Sequence, residues 1–130
     1  MNAVRKHAIN VYKQVTYESA LESSGQLDMI KLLVDALIDS VVDAESHLIN
    51  RRSEAKGRAV SKAQNILLGL RSTLDFDKGA EVARNLDDLY DYCLRRLGHG
   101  HARNDAKAFR EVREIMHSIK EAWHLAPIKG

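Results

Sequence analysis

The chain has 130 residues, of which 45% are hydrophobic, so it is long enough to form one domain with a real core. It contains 20 Lys and Arg against 18 Asp and Glu, and this balance argues against a polyanion binder that works through its overall field. One proline and 5% aromatic residues leave too few turn and aromatic positions for a β-sandwich or barrel.

The spacing of hydrophobic residues predicts one short helix followed by four long ones. The short helix covers residues 4–15, and a Ser-Ser-Gly break at 23–25 separates it from a helix over 26–49. Two more helices are predicted over 54–74 and 80–97, with an Asp of the joint at residues 75–79 as a candidate N-cap between them. The Gly-His-Gly-His segment at 98–101 predicts a break. Asn104 is then the expected N-cap of a last helix that ends near residue 125.

Four long helices joined by short segments predict an all-α, antiparallel up-down four-helix bundle preceded by a short N-terminal helix. We expect a single domain over residues 1–130, with the bundle at 26–125. Residues 1–17 are amphipathic and too short to form a stable helix alone, so they are expected to act as a removable lid on the bundle. No apolar stretch is long enough to span a membrane or to form a signal core, and the single cysteine cannot form an internal disulfide. These features predict a soluble cytoplasmic protein.

The helix predicted over 26–49 carries more apolar surface than one face of a bundle helix needs. Between residues 29 and 42, the only positions that are not apolar are Lys31, Asp35, Asp39 and Ser40. Two interpretations are open at this point. Either this helix is the most deeply buried one of the bundle, or part of its surface is a groove that binds another protein. A smaller excess follows in the next helix, where Ile66 and Leu68 lie off the core-facing stripe.

Short motifs along the chain carry a family resemblance. Residues 12–15 are Tyr-Lys-Gln-Val, residues 33–37 are Leu-Val-Asp-Ala-Leu, and residues 56–63 are Lys-Gly-Arg-Ala-Val-Ser-Lys-Ala. Residues 85–92 are Asn-Leu-Asp-Asp-Leu-Tyr-Asp-Tyr, and Glu-Ala-Trp stands at 121–123. In this order and spacing the chain resembles the flagellar secretion chaperone family FliS over nearly its whole length. It departs from the family pattern at four positions. Gln26 stands where the family often has Pro, Val34 where it often has Tyr or Phe, and Ala36 and Ala80 where it often has Gly.

The resemblance implies a cytoplasmic, non-enzymatic chaperone that binds the disordered C-terminal segment of flagellin. It also implies that binding prevents premature polymerisation and aids delivery to the flagellar type III export gate. Helix-in-groove recognition of an apolar stripe is the physical mode that fits this role. From the helical wheel, Ile38 is expected on the open side of its helix and Leu70 in the core. The residues expected to line the partner-binding groove are Tyr12, Val15, Ile30, Leu33, Val34, Leu37, Ile38, Val41, Ile66 and Leu67.

Other constellations of residues favour simpler interpretations. His99 and His101, with Cys93 two turns earlier, form an incomplete ligand set for a structural zinc site, so we expect no metal and no other cofactor. The Arg pairs at 51–52 and 95–96 stand near predicted helix ends, where the helix dipole accounts for them. No triad order, phosphate-binding loop or activated cysteine indicates catalysis.

Two alternatives to the flagellin chaperone are open from the sequence. One is a generic helical adaptor for another secreted or regulatory protein, and the other is a small nucleic-acid-binding helical bundle. The second lacks the aromatic residues that usually interleave with basic ones in such sites. The expected partners are therefore the flagellin C-terminal segment and components of the export gate, without nucleic acid and without membrane insertion. A weak homodimer of the free chain is a further open alternative.

Overall fold

The computed structural model describes the backbone of residues 24–125 and the burial and contacts of the side chains of residues 28–122. It consists of α1 (Ser24–Ile49), α2 (Ser53–Ser72), α3 (Phe76–Arg103) and α4 (Ala106–Leu125). The N-terminal helix predicted over 4–15, the lid at 1–17 and the predicted groove residues Tyr12 and Val15 lie outside the described residues.

The four helices pack side by side in a ring, in which α1 and α3 each contact α2 and α4. Side-chain contacts show that α2 and α3 are antiparallel: Lys56, near the start of α2, contacts His101 and Asn104 at the end of α3, and Arg71, near the end of α2, pairs with Asp87 in the first half of α3. In the same way, Glu45 near the end of α1 pairs with Arg110 near the start of α4. The predicted all-α antiparallel four-helix bundle is therefore confirmed over residues 24–125.

The core lies along the axis of the ring, and each helix contributes one stripe of side chains at intervals of three or four residues. These stripes are Ile30, Val34, Leu37, Val41 and Ala44 from α1, Val60, Ala63, Leu67 and Leu70 from α2, Leu86, Leu89, Cys93 and Leu97 from α3, and Phe109, Val112, Met116 and Ile119 from α4. Leu70 is fully buried in this core, as the helical wheel predicts.

The predicted break at residues 98–101 is wrong, because α3 continues through both glycines to Arg103. Gly100 is buried where α3 meets α4. A Cβ atom at Gly100 would lie 2.9 Å from Cε1 of Phe109 and 3.2 Å from Cβ of Ala108. The missing side chain therefore allows the two helices to approach each other closely, and it does not mark a turn.

Asn104 ends α3, and its predicted role as the N-cap of the last helix is wrong. Its backbone is left-handed, with φ 50° and ψ 47°, and its N–H donates a hydrogen bond to the carbonyl oxygen of Gly100. This is the C-terminal arrangement that asparagine tolerates better than most residues. Asp105 caps α4 instead, because its Oδ1 accepts a hydrogen bond from the backbone N–H of Lys107 at 3.0 Å.

Asp75 is the N-cap of α3, which confirms that an Asp of the joint between α2 and α3 caps the next helix. Its Oδ1 accepts hydrogen bonds from the backbone N–H groups of Asp77 and Lys78 at 3.0 and 3.1 Å. α3 consequently begins at Phe76, earlier than the predicted start at residue 80.

The backbone of α3 is interrupted after its first turn. Ala80 has φ 44° and ψ −114°, a conformation that glycine adopts readily and that an alanine side chain disfavours. The short first turn and the long remainder of α3 therefore meet at a strained residue.

Candidate partner-binding groove

α1 carries a second apolar stripe beside the one that enters the core. Met29, Leu32, Leu33 and Ala36 follow the i, i+3, i+4, i+7 spacing that places side chains on one face of a helix. Leu32 is 70% exposed and Met29 is 47% exposed, whereas Leu33 and Ala36 are half-buried. The apolar surplus of this helix is therefore divided between the core and the surface.

One residue of the second stripe, Leu33, lines a groove of about 860 Å³ that lies over the outward face of α2. Ile66 and Gly69 contribute an apolar part of the lining from α2. A Cβ atom at Gly69 would have no neighbour within 4 Å, so the backbone there is open to a close approach. We call this surface, formed by Met29, Leu32, Leu33 and Ala36 of α1 with Ile66 and Gly69 of α2, the α1–α2 groove.

The predicted groove residues fall into two groups in the structure. Leu33 and Ile66 line the α1–α2 groove, where they are half-buried and pack on the core beneath. Each of the others that the structure describes is buried in the core cluster, namely Ile30, Val34, Leu37, Ile38, Val41 and Leu67. Ile38 is only 7% exposed, so its expected place on the open side of the helix is wrong.

Four groove residues, Met29, Leu32, Ala36 and Gly69, are absent from the predicted set. For the first three the sequence signal is available, because the i, i+3, i+4, i+7 spacing from Met29 separates a second stripe from the core stripe. Gly69 has no such signal, because its openness depends on which helices lie beside α2.

Ion pairs join three of the four pairs of neighbouring helices. Arg71 Nε lies 2.6 Å from Asp87 Oδ1 between α2 and α3, and Arg96 Nε lies 2.7 Å from Glu111 Oε1 between α3 and α4. α1 and α4 are joined by Asp35 with Lys120 and by Glu45 with Arg110 and Arg113. Over residues 28–122, no ion pair joins α1 to α2.

Exposed charged side chains lie on α1 beyond the second stripe and on α2 in the groove lining. Asp39 and Asp43 are exposed on α1, three and seven residues after Ala36 and thus along the same side of the helix. Arg58 and Lys62 are exposed on α2 and line the groove. Glu54, which is also exposed, lines the groove beside them, so the α2 wall carries both signs of charge. Within the described part of the chain, none of these five side chains forms an ion pair.

The candidate metal ligands lie apart from one another. Cys93 is fully buried in the core, and burial raises the pKa of its thiol to about 12, so the thiol stays protonated. His99 Nε2 lies 3.4 Å from Asp105 Oδ2, and His101 lines the groove. Among residues 24–125, no group of three or more His, Cys, Asp or Glu side chains is placed to hold a metal ion.

Two basic residues in or near the Arg pairs at 51–52 and 95–96 have structural roles, Lys56 and Arg96. Lys56 is buried, and its Nζ donates hydrogen bonds to the carbonyl oxygen of His101 at 3.1 Å and to Oδ1 of Asn104. Glu111 accepts hydrogen bonds from Arg96 and from the Tyr92 hydroxyl. Burial, followed by this contact with Glu111, raises the pKa of Tyr92. Lys56 and Arg96 are therefore committed to contacts within the bundle, which weighs against a continuous basic face for nucleic acid.

Comparison with known proteins assigns the chain to a family. The sequence model of the family described as flagellar protein FliS matches residues 8–129. This chain belongs to the FliS family. A relative from Salmonella typhimurium, named flagellar secretion chaperone FliS, is 44% identical over 88% of this chain and 86% of its own length. Relatives of the same name are 37% identical in Escherichia coli, covering 86% of this chain and 83% of that protein, and 28% identical in Vibrio cholerae, covering 92% and 88%.

Membership of the FliS family identifies the chain as a flagellar secretion chaperone and not an enzyme. A chaperone needs a surface that holds another protein chain, and the α1–α2 groove combines exposed apolar side chains with an open backbone position. No helix within residues 24–125 is long and apolar enough to cross a membrane.

Proposed function

We propose that this protein binds the C-terminal segment of flagellin in the bacterial cytoplasm. It keeps the segment from polymerising and presents it to the flagellar type III export gate. The observation that supports the proposal is the second apolar stripe of α1, whose Leu32 and Met29 remain exposed beside the open backbone of Gly69. A disordered segment that folds on binding must bury a large apolar surface to offset the free energy of its ordering.

The groove fits an amphipathic helix in the client. Apolar client side chains at i, i+3, i+4 and i+7 would pack against Leu32, Leu33 and Ile66, which is the usual helix-in-groove mode. Burying one leucine side chain contributes about 1.5–3 kcal/mol. Client side chains held in this way are covered, so they are not available for pairing with another flagellin molecule.

A charged substitution at Leu32 tests the groove. Leu32→Asp should weaken binding of a flagellin C-terminal peptide by about 10-fold or more, because the loss of one buried leucine exceeds 1.4 kcal/mol. Isothermal titration calorimetry measures the affinity. The unfolding midpoint should stay nearly unchanged because the side chain is 70% exposed in the free protein.

Val42→Asp is the matched control for Leu32→Asp. Val42 is also an exposed apolar residue of α1, but it lies outside the second stripe and should tolerate the change without loss of binding. Leu70→Asp, in contrast, should unfold the bundle, because Leu70 is fully buried and an unpaired buried carboxylate is very unfavourable. Equal loss of affinity in Leu32→Asp and Val42→Asp would show that the client does not use the groove.

The proposal includes residues 1–17 as a lid on the α1–α2 groove in the free protein. It is supported by the amphipathic pattern of this segment and by the exposed stripe of α1. Deleting residues 1–17 should speed client association, which stopped-flow fluorescence measures. It should also increase self-association of the free chain, which analytical ultracentrifugation measures. Unchanged self-association together with lost binding would instead make the segment, including Tyr12 and Val15, part of the client site.

A further inference from the structure

We infer that the polar part of the groove over α2 binds the chain end of the flagellin segment and holds its terminal carboxylate. The polar part is defined as Arg58, Ser61, Lys62 and Asn65, all of which line the groove. This inference rests on the proposed function, and it adds the place where the bound segment ends.

The first argument is the kind of polar group that lines this part of the groove. Arg58 and Lys62 carry N–H donors and no acceptor. The hydroxyl of Ser61 and the side-chain amide of Asn65 can donate as well. All four residues are exposed, and among residues 28–122 no hydrogen bond or ion pair engages their side chains. Their donors are therefore available to a ligand that supplies oxygen acceptors.

The second argument is what the C-terminal end of a helix needs. The last four carbonyl groups of an α-helix have no partner within the helix, and the negative end of its dipole, which cations stabilise, lies there. At the end of a protein chain, the terminal carboxylate adds a full negative charge. A helix that continues past the same place presents neither free carbonyl groups nor this carboxylate. A cationic surface rich in donors therefore fits a chain end better than a continuing helix.

The third argument is the order of the lining residues along α2. Arg58 and Lys62 precede Ile66 and Gly69, so the polar part lies toward the start of α2 and the apolar part toward its end. From Gly69 back to Arg58 the distance along the helix axis is about 16 Å, at 1.5 Å per residue. A client helix of about three turns spans this distance. When its apolar side chains cover Ile66, its last turn lies beside the two cations, and the helix runs antiparallel to α2.

The acidic residue of the lining narrows the place of the carboxylate. Glu54 is exposed and lines the groove about one helical turn before Arg58. A carboxylate beside Glu54 is repelled, whereas a carboxylate between Arg58 and Lys62 is attracted by two cations. The chain end of the client is therefore expected beside Arg58 and Lys62, and not at the first turn of α2.

Amidation of the peptide end tests the inference on the full chain. Two flagellin C-terminal peptides, each labelled at its first residue, differ only in a free or an amidated terminal carboxyl group. Amidation should weaken binding by about 3- to 10-fold at low salt, because two exposed attractive contacts are lost. The difference should shrink as salt screens the charges. Fluorescence anisotropy measures both affinities. Equal affinity would overturn the inference, including the case in which an acidic side chain of the client occupies the polar part.

A double variant locates the carboxylate. Arg58→Gln with Lys62→Gln should bind the free-acid peptide about as weakly as the unmodified chain binds the amide, and amidation should then have no effect. The matched control is Arg84→Gln with Lys107→Gln, which removes the same two charges from exposed positions of α3 and α4 outside the groove lining. This control should keep the full effect of amidation. An amidation effect that persists in the Arg58 and Lys62 variant would place the carboxylate elsewhere and overturn the inference.

Glu54→Gln should change the affinity in the opposite direction. Removal of a nearby like charge should tighten binding of the free-acid peptide by about 2-fold and leave the amidated peptide nearly unaffected. Equal effects on the two peptides would contradict the placement of the carboxylate. Circular dichroism should show the same helicity in every variant, because each changed side chain is exposed. If neither peptide binds to the unmodified chain, the proposed function fails; if both bind equally, the inference alone fails.

Discussion

Two glycines in helical backbone predict opposite effects of the same substitution. Gly69 lies in the last turn of α2, and an added Cβ atom there would meet nothing within 4 Å. Alanine favours a helix over glycine by about 0.5–1 kcal/mol, so Gly69→Ala should raise the free energy of unfolding by that amount. In Gly100→Ala the same gain is opposed, because the new Cβ would lie 2.9 Å from Cε1 and 3.1 Å from Cδ1 of Phe109.

The size of the Gly100 effect follows from the packing around it. Phe109 is fully buried, so its ring cannot move away without displacing its core neighbours. Overpacking of a core by one methyl group costs about 1–3 kcal/mol. After subtraction of the helix-forming gain, Gly100→Ala should lower the free energy of unfolding by about 1–2 kcal/mol.

Urea titrations followed by circular dichroism measure both glycine variants. The midpoints should move in opposite directions without a change in the slope of unfolding free energy against urea concentration, because neither substitution alters the surface exposed on unfolding. Because no atom lies within 4 Å of a Cβ atom at Gly69, a leucine side chain introduced there can fill the groove. Gly69→Leu should therefore reduce client binding without destabilising the fold. Destabilisation by Gly69→Ala, or tolerance of Gly100→Ala, would refute the packing described for these two helices.

Two further predictions concern the strained residue of α3 and the buried thiol. Ala80→Gly should stabilise the bundle by about 1 kcal/mol, because glycine accepts the φ of 44°, and a lower thermal midpoint in this variant would contradict the strain. The Cys93 thiol has its pKa raised by burial to about 12 from an ordinary value near 9, so folding holds its proton more tightly than the unfolded chain does. Its contribution to stability is therefore intact below about pH 9 and is lost as the pH rises from 9 to 12, by up to about 1.4 kcal/mol per pH unit. The loss of stability with rising pH should be shallower in Cys93→Ala. Iodoacetamide at about pH 8 should modify Cys93 only in urea, and rapid alkylation of the folded protein would argue against burial of the thiol.

The order and type of the four helices were predictable because hydrophobic spacing is a local property of the sequence. The break at residues 98–101 was not, since a glycine serves equally in a turn or in a close helix contact. Gly100 takes the second role because Phe109 packs on it, and that contact joins residues from two different helices. The role of Asn104 was predicted wrongly for the same reason. α3 continues past the glycines, so Asn104 stands at the end of α3 and does not begin the next helix.

The groove was only partly predictable from the sequence. Leu33 and Ile66, both predicted to line the partner-binding groove, line a surface groove, the first from α1 and the second from α2. Val34 and Leu32 differ little in sequence context, yet the first is fully buried and the second is 70% exposed. A helical wheel gives the angle between side chains but not the directions in which α2 and α4 lie, and those directions decide which apolar residue reaches the surface.

The buried Lys56 provides a chemical reporter that separates opening of the bundle from occupation of the groove. Its Nζ is held by His101 and Asn104 at the end of α3, whereas Lys62 on the same helix is exposed. A reagent that acylates primary amines should therefore label Lys62 in the folded protein, and Lys56 only when the bundle opens. Mass spectrometry then assigns lost labelling at Lys62 to a client in the groove, and slowed labelling at Lys56 to a more stable fold.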